Sequence, residues 1–217
     1  SADTAAIAMR QGSRVADVWV VADGPAGEET MLAGPRQAFV RAEPGALPSR
    51  AADNLYWLGR YVERTEGLLR LTRAYNARLS DAGGDALRAV IGKNLESYGL
   101  DPDEPLPRGL IQTLGNAVGS ASRIRDRFSV DGWAALKDLE KSLGRLAGTV
   151  TAGDDAALAM GILLRKVAGF SGLVHENMYR AAGWRFLTIG RSLERAATMA
   201  DLLAILTDPK APSGSLD

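Results

Sequence analysis

No cysteine occurs among the 217 residues, and His175 is the single histidine. The first absence excludes a disulfide framework, a thiolate nucleophile and a thiolate metal site, and it fits a reducing compartment. The second excludes a di-iron carboxylate bundle, which needs two Glu-x-x-His units. A surplus of either charge is also missing, since 26 Lys and Arg face 26 Asp and Glu. General nucleic-acid binders carry extra Lys and Arg to displace condensed counterions, so neutrality argues against that class. The longest uncharged run, residues 109–122, is rich in Gly, Ser and Asn. It falls short of the roughly 20 apolar residues that cross a bilayer. Residues 1–10 lack the basic-then-apolar order of a signal peptide. The expectation is a soluble, cytoplasmic protein with neither a membrane nor nucleic acid as partner.

Proline is confined to three places: Pro25 to Pro48, Pro102 to Pro107, and Pro209 with Pro212. A proline inside a helix costs about 3 kcal/mol, so the proline-free stretches 49–101 and 108–208 are free to be helical. In the first of them Leu55, Leu58, Val62 and Leu69 recur at helical steps, with Pro48 and the N-cap candidate Ser49 just ahead. The spacing predicts helices over 50–79, 85–97 with Asp85 as cap, 108–128, and 131–150 capped by Ser129 or Asp131. A last helical region begins at Asp154 or Asp155 and ends near Thr207, either broken at Gly183 or bent as one long helix. An all-α bundle of five to seven helices follows. Gly115, Gly119, Gly144, Gly148, Gly161, Gly169 and Gly172 fall within these spans. Interior helical glycine costs about 1 kcal/mol against alanine, and close helix-helix approach is the expected compensation.

The first 48 residues read differently. Val15, Val18, Trp19, Val20 and Val21 form a short β-favouring run between Gly12 and the turn signal Asp23-Gly24-Pro25. An isolated hairpin is marginal in water, which suggests a strand belonging to a sheet outside this chain. The expected divisions are 1–26 as a strand remnant, 27–48 as a Gly/Pro/Glu-rich linker, 49–208 as the helical domain and 209–217 as a flexible tail.

One pattern occurs twice. Leu58-Gly59-Arg60-Tyr61-Val62-Glu63-Arg64 and Ile189-Gly190-Arg191-Ser192-Leu193-Glu194-Arg195 both read apolar-Gly-Arg-x-apolar-Glu-Arg, at opposite ends of the helical region. Helical spacing sets Gly59, Glu63 and Gly67 on one face, and Gly190, Glu194 and Thr198 on another. A carboxylate in a groove opened by small residues loses hydration and needs a charged partner. Arg60 and Arg191 are spaced to pair within their own helices, while Arg64 and Arg195 point elsewhere and could reach a neighbour. If the two segments pack with approximate two-fold symmetry, Glu63 faces the second motif and Glu194 the first. Two readings stay open: glutamate-arginine pairs that fix helix register, or a pocket for a charged substrate, to which arginine forks are suited.

The segment Pro48-Ser-Arg-Ala-Ala-Asp-Asn-Leu-Tyr-Trp-Leu-Gly-Arg-Tyr-Val-Glu-Arg-Thr-Glu66, together with Glu176-Asn-Met, Arg180 and Gly183-Trp-Arg-Phe-Leu-Thr-Ile-Gly-Arg-Ser-Leu-Glu-Arg195, resembles the bacterial alpha-E family of all-helical domains with Glu-Arg motifs. Gln11-Gly-Ser-Arg-Val-Ala-Asp-Val-Trp-Val20 resembles the C-terminal tail of a circularly permuted ATP-grasp protein. Together they imply the C-terminal piece of a longer fusion that works with an ATP-grasp amide ligase, among transglutaminase-like and proteasome-like neighbours. ATP and magnesium would then belong to the ligase domain, leaving this chain without a cofactor or metal of its own.

Other constellations carry less. Ser171 lies one helical turn before His175, but no acid is spaced to orient the imidazole. Gly92-Lys93-Asn94 lacks the upstream glycine and the following Ser or Thr of a phosphate loop. Arg123, Arg125 and Arg127 alternate across faces, as on a solvated helix end. Glu176, Asn177, Arg180 and Trp184 cluster at the expected helix break, where they either meet a polar ligand or serve as a cap and core. Three functions remain in view. One is an accessory module that positions substrate for the ligase through Arg60, Arg64, Arg191, Arg195, Glu176, Asn177, Arg180 and Trp184. The second is an enzyme with Glu63 or Glu194 as general base acting on an anionic or acyl-phosphate substrate. The third is a structural scaffold for oligomer contacts. The substrate and the oligomeric state are left open.

Overall fold

The computed structural model describes residues 16–19, 21, 23–24, 47–80, 84–127 and 129–208. Residues 1–43 and 44–217 form two separate units. In the first, residues 16–19 and 21 carry no regular secondary structure. The other positions of the expected strand, most of the linker 27–48, and the tail 209–217 lie outside the described residues.

The second unit is all-α, with six helices among the described residues: α1 Ser49–Ala77, α2 Asp85–Ser97, α3 Arg108–Ser122, α4 Val130–Leu146, α5 Asp154–Asn177 and α6 Ala182–Leu206. Proline fixes the starts of two. Pro48 and Pro107 stand immediately before α1 and α3 with φ near −54° and −58°, and their carbonyls accept the first helical hydrogen bonds. Ser49 is thus the first helical residue rather than the cap. The Ser129 side chain caps α4, accepting from Gly132 N at 3.0 Å. Asp85 does not cap α2; it is the first residue of that helix, after Gly84, and pairs with Arg88. Gly99, with φ +73°, closes α2 in the left-handed conformation that spares glycine the Cβ penalty. Gly153, with φ +93°, opens α5, and its N–H donates to the buried Asn76 side chain, tying the end of α1 to the start of α5.

Three boundaries differ from expectation, one of them the end of the fourth helix, at Leu146 instead of 150. The third helix ends at Ser122, and a separate 3-10 turn, Arg125–Arg127, follows. The last break comes at residues 178–181, ahead of Gly183, which sits in the first turn of α6. Gly183 is small for packing: a Cβ there would lie 3.1 Å from Leu55 Cδ1.

α1 is the hub and packs on α6, α3, α5 and α2, while α4 lies against α5 and α3. The core is aliphatic, built from residues such as Leu55, Leu58, Leu69, Leu95, Leu110, Leu114, Leu136, Leu139, Met160, Leu163 and Phe170. By length and composition α5 could cross a membrane, a property that a search for uncharged runs misses because Arg165 and Lys166 interrupt it. Its apolar face is instead part of this core, with Ala156, Met160, Leu163, Val167, Phe170 and Val174 buried.

The glycine expectation fails for most positions. A Cβ at Gly115, Gly119, Gly144, Gly148, Gly169 or Gly172 would meet nothing within 4 Å, and one at Gly161 would make only ordinary contacts. Those glycines do not buy close approach. Gly115→Ala, Gly169→Ala and Gly172→Ala should therefore each raise unfolding free energy, by up to about 1 kcal/mol in urea titrations, whereas Gly59→Ala should lower it.

Candidate functional site

The close contact lies between α1 and α6. The helices run parallel with the two motif copies in register: Gly59 meets Leu187 and Arg191, Gly190 meets Tyr56 and Arg60, and Gly67 stands across from Thr198. A Cβ on Gly59 would overlap the Leu187 carbonyl oxygen, and one on Gly190 the Tyr56 carbonyl oxygen. Backbone therefore touches backbone, and only glycine fits at either position.

This approach buries Glu63 and Glu194 to 7% and 2% exposure. Each carboxylate is answered by two arginines of the opposite helix. Glu194 accepts from Arg60 Nε, from Arg64 Nε at 2.6 Å and from Arg64 Nη2 at 3.2 Å. Glu63 accepts from Arg191 Nε at 3.0 Å and Arg195 Nε at 2.5 Å. The reciprocal facing of the two motifs matches the expectation from symmetry. Arg60 and Arg191 depart from it by reaching across instead of pairing within their helices, because each glutamate is turned into the seam toward the neighbouring helix.

The surroundings tune the arginines. Arg60 Nη1 donates to the Tyr56 hydroxyl at 3.0 Å, and its guanidinium lies about 6 Å from the Tyr56 and Trp57 ring centres. Burial opposes the charge of Arg60, but the hydrogen bonds to Tyr56 and Glu194 outweigh it and hold its pKa above the ordinary arginine value. The hydrogen bond to Glu63 raises that of Arg195 against its own desolvation. Glu66 extends the second half of the seam, pairing with Arg70 at 2.7 Å and lying 3.7 Å from Arg191. One network joins Arg60 and Arg64 to Glu194; the other joins Arg70, Arg191 and Arg195 to Glu63 and Glu66. Each carries one net positive charge, in a chain whose formal charge is zero.

Two cavities open on the second network. The larger, about 380 Å³, is lined by Glu63, Glu66, Gly67, Arg70 and Arg195 and by the more apolar Leu71, Thr198, Met199 and Leu202. The smaller, about 200 Å³, lies between α5 and α6 and includes Ser171, His175, Trp184, Thr188, Arg191, Ser192 and Arg195. Arg195 lines both, with its side chain 60% exposed.

Residues 47–215 match the family model Alpha-E, described as "A predicted alpha-helical domain with a conserved ER motif". The chain belongs to the Alpha-E family. The chain's two Glu-Arg dipeptides, Glu63-Arg64 and Glu194-Arg195, both lie in the seam, with the glutamates buried and the arginines partly exposed. The chain is also 27% identical over 230 residues to "Uncharacterized protein Rv2567" of Mycobacterium tuberculosis (strain H37Rv) and to "Uncharacterized protein Mb2597" of Mycobacterium bovis. Each of these alignments covers 86% of this chain and 26% of the relative, so the chain spans about a quarter of their length. No solved structure matches it.

The remaining candidates of the alpha-E domain fall at its edge. Glu176 is 79% exposed and pairs with His175 at 3.2 Å, so an acid does stand beside the imidazole. Ser171 Oγ has no hydrogen-bond partner, however, and the Ser-His relay is not formed. Asn177 is the exposed last residue of α5, and Arg180 stacks on Trp184 at 5.7 Å. Trp184 alone of that cluster lines a cavity, while packing partly on the core. Gly92-Lys93-Asn94 is helical, with Gly92 and Asn94 buried; Arg125 stacks on Trp133, and Arg127 pairs with Asp126. Tyr56 and Arg70 were missed as site residues, although Tyr56/Arg60 and Glu66/Arg70 both have the four-residue spacing that brings side chains together on a helix.

Glu194→Gln should cost about 3 kcal/mol in chemical denaturation, since it leaves Arg60 and Arg64 facing an amide in a buried seam. Arg64→Gln, whose side chain is 34% exposed, should cost about 1 kcal/mol. The double variant should lose less than the sum, and strict additivity would argue against a coupled pair.

Proposed function

We propose that this alpha-E chain is a non-catalytic module that binds and orients the acceptor substrate of an ATP-grasp-type amide ligase in the cytoplasm. The observation that carries this reading is the larger cavity, where Arg70, Arg195 and Glu66 stand at the polar side and Leu71, Met199 and Leu202 supply an apolar floor. An amino acid or peptide terminus combines a carboxylate, an ammonium and an apolar side chain, and arginine forks match the carboxylate. Arg60, Arg64 and Arg191 hold the seam that aims Arg195.

Glu63 and Glu194 act in this reading as positioning groups rather than general bases. Both oxygens of each already accept hydrogen bonds from arginine. A base must have an oxygen within reach of the proton it removes. Glu176, Asn177, Arg180 and Trp184 border the site without entering the ion-pair network.

The ligase as partner is supported by the likeness of residues 11–20 to an ATP-grasp tail, and by relatives about four times longer than the aligned segment. ATP and magnesium would be bound there. The α6 surface offers a docking face: Phe186, Ile189 and Leu193 share a helical stripe and are 40%, 48% and 50% exposed. A fused or separate ATP-grasp domain is the occupant assigned to it. The transglutaminase-like and proteasome-like neighbours would act on the ligase product.

Mass spectrometry of products from the longer ligase protein, with ATP and candidate amino acids, should show amide formation that falls when the alpha-E domain is deleted. Arg195→Gln should raise the acceptor KM about tenfold with the ATP KM unchanged, the loss of one hydrogen bond to a charged group. Leu193→Glu should weaken association with the ligase domain. Unchanged products and KM values in all three would overturn the reading.

A further inference from the structure

The smaller cavity has a different chemistry from the larger one, and its argument does not depend on the ligase reading. Donors approach it from two helices. Ser171 and His175 come from α5, and Thr188, Arg191, Ser192 and Arg195 from α6. None of its lining residues is acidic among the described residues. The carboxylates paired with its lining residues are Glu63, held by Arg191 and Arg195, Glu66, 3.7 Å from Arg191, and the exposed Glu176 beside His175.

Three observations point to an anion. Arg191 and Arg195 both line the recess; their Nε atoms donate to Glu63 and Arg191 Nη2 lies 3.7 Å from Glu66, which leaves Arg191 Nη1 and both terminal nitrogens of Arg195 outside these ion pairs. The network behind them carries one net positive charge. Ser171 Oγ is buried and has no partner, a state that costs about 1–3 kcal/mol unless something else completes it.

The two copies of the repeat differ at the positions that line this recess. In the first motif the positions flanking Leu58-Gly59-Arg60 are Trp57 and Tyr61, whose rings stack at 5.5 Å. The matching positions in the second motif are Thr188 and Ser192. Two aromatic rings are replaced by two hydroxyls, which opens space and lines it with donors.

We propose that this recess binds a phosphoryl group, either as inorganic phosphate or as the phosphomonoester of a small molecule. Donors converging from two helices suit a tetrahedral anion, whose oxygens accept in more than one plane, and arginine forks match phosphate. A volume of about 200 Å³ holds the phosphoryl group with room for a small substituent.

Isothermal titration of the folded chain at low ionic strength tests it, with inorganic phosphate, phosphoserine and glutamate as probes. Saturable phosphate binding is expected, weakened about tenfold by Thr188→Val or by Ser171→Ala, as loss of one hydrogen bond to a charged group implies. Ser171→Ala removes only an unpartnered hydroxyl, so its thermal melting without phosphate should not fall, which separates lost binding from lost folding. Tighter binding of phosphoserine assigns the recess to an organic phosphate, and equal binding assigns it to the phosphoryl group alone. No saturable phosphate binding, binding indifferent to both substitutions, or tighter binding of glutamate overturns the proposal. The ligase reading could fail in its own assay while this result stood, because neither Ser171 nor Thr188 lines the larger cavity.

Discussion

The backbone contact between Gly59 and Gly190 is the constraint on which the rest of the α1–α6 seam depends. Close approach leaves no room for water around the glutamates one turn further along, so both are desolvated at the moment the helices meet. Desolvated carboxylates are costly unless paired and hydrogen-bonded. Parallel register sets two arginines of the facing helix beside each one. A displacement by one helical turn would leave each glutamate with one arginine of the facing helix in reach instead of two, because the paired arginines are spaced four residues apart. Glycine contact and ion pairing therefore specify the same alignment by independent means, one steric and one electrostatic.

α6 needs that double specification because its apolar anchorage is narrow. Among its described residues only Leu187, Gly190 and Glu194 are buried, although the helix runs for 25 residues. α5, one residue shorter, sinks eight residues into the core. The last helix is thus held largely by glycine packing and a polar seam, and an apolar stripe is left facing outward. A buried ion pair gives poor net stabilisation but excludes wrong alignments, and that property fits a helix with little hydrophobic surface to define its place.

The sequence made the helical architecture readable because prolines mark its gaps and apolar residues keep the 3.6-residue period. It made the glutamate-arginine pairing readable because the same heptapeptide pattern occurs twice. It did not separate the two glycines that touch backbone from those that face open space. Gly59 and Gly169 look alike locally, and only the partner helix distinguishes them. The direction of Arg60 and Arg191 was misread for a related reason, since three-residue spacing permits an intrahelical pair and tertiary contact removes it. The start of α6 was placed at Gly183 because glycine is a common breaker; there it is selected by the proximity of Leu55. Neither cavity could be read, since each is made by residues brought together from separate elements.

The two halves of the seam are equivalent in motif but not in surroundings. Glu194 lies under Arg60 and Arg64, with Tyr56 and Trp57 against Arg60, and this half is closed. Glu63 lies under Arg191 and Arg195, and Glu66 and Arg70 extend its network. Here Arg195 has a 60% exposed side chain, against 24% for Arg191 in the same half and 23% for Arg60 and 34% for Arg64 in the other. The difference between the halves is concentrated at Arg195, which lines both cavities. The covered half, with Tyr56 and Trp57 against Arg60, fixes the register in which the more open half is set.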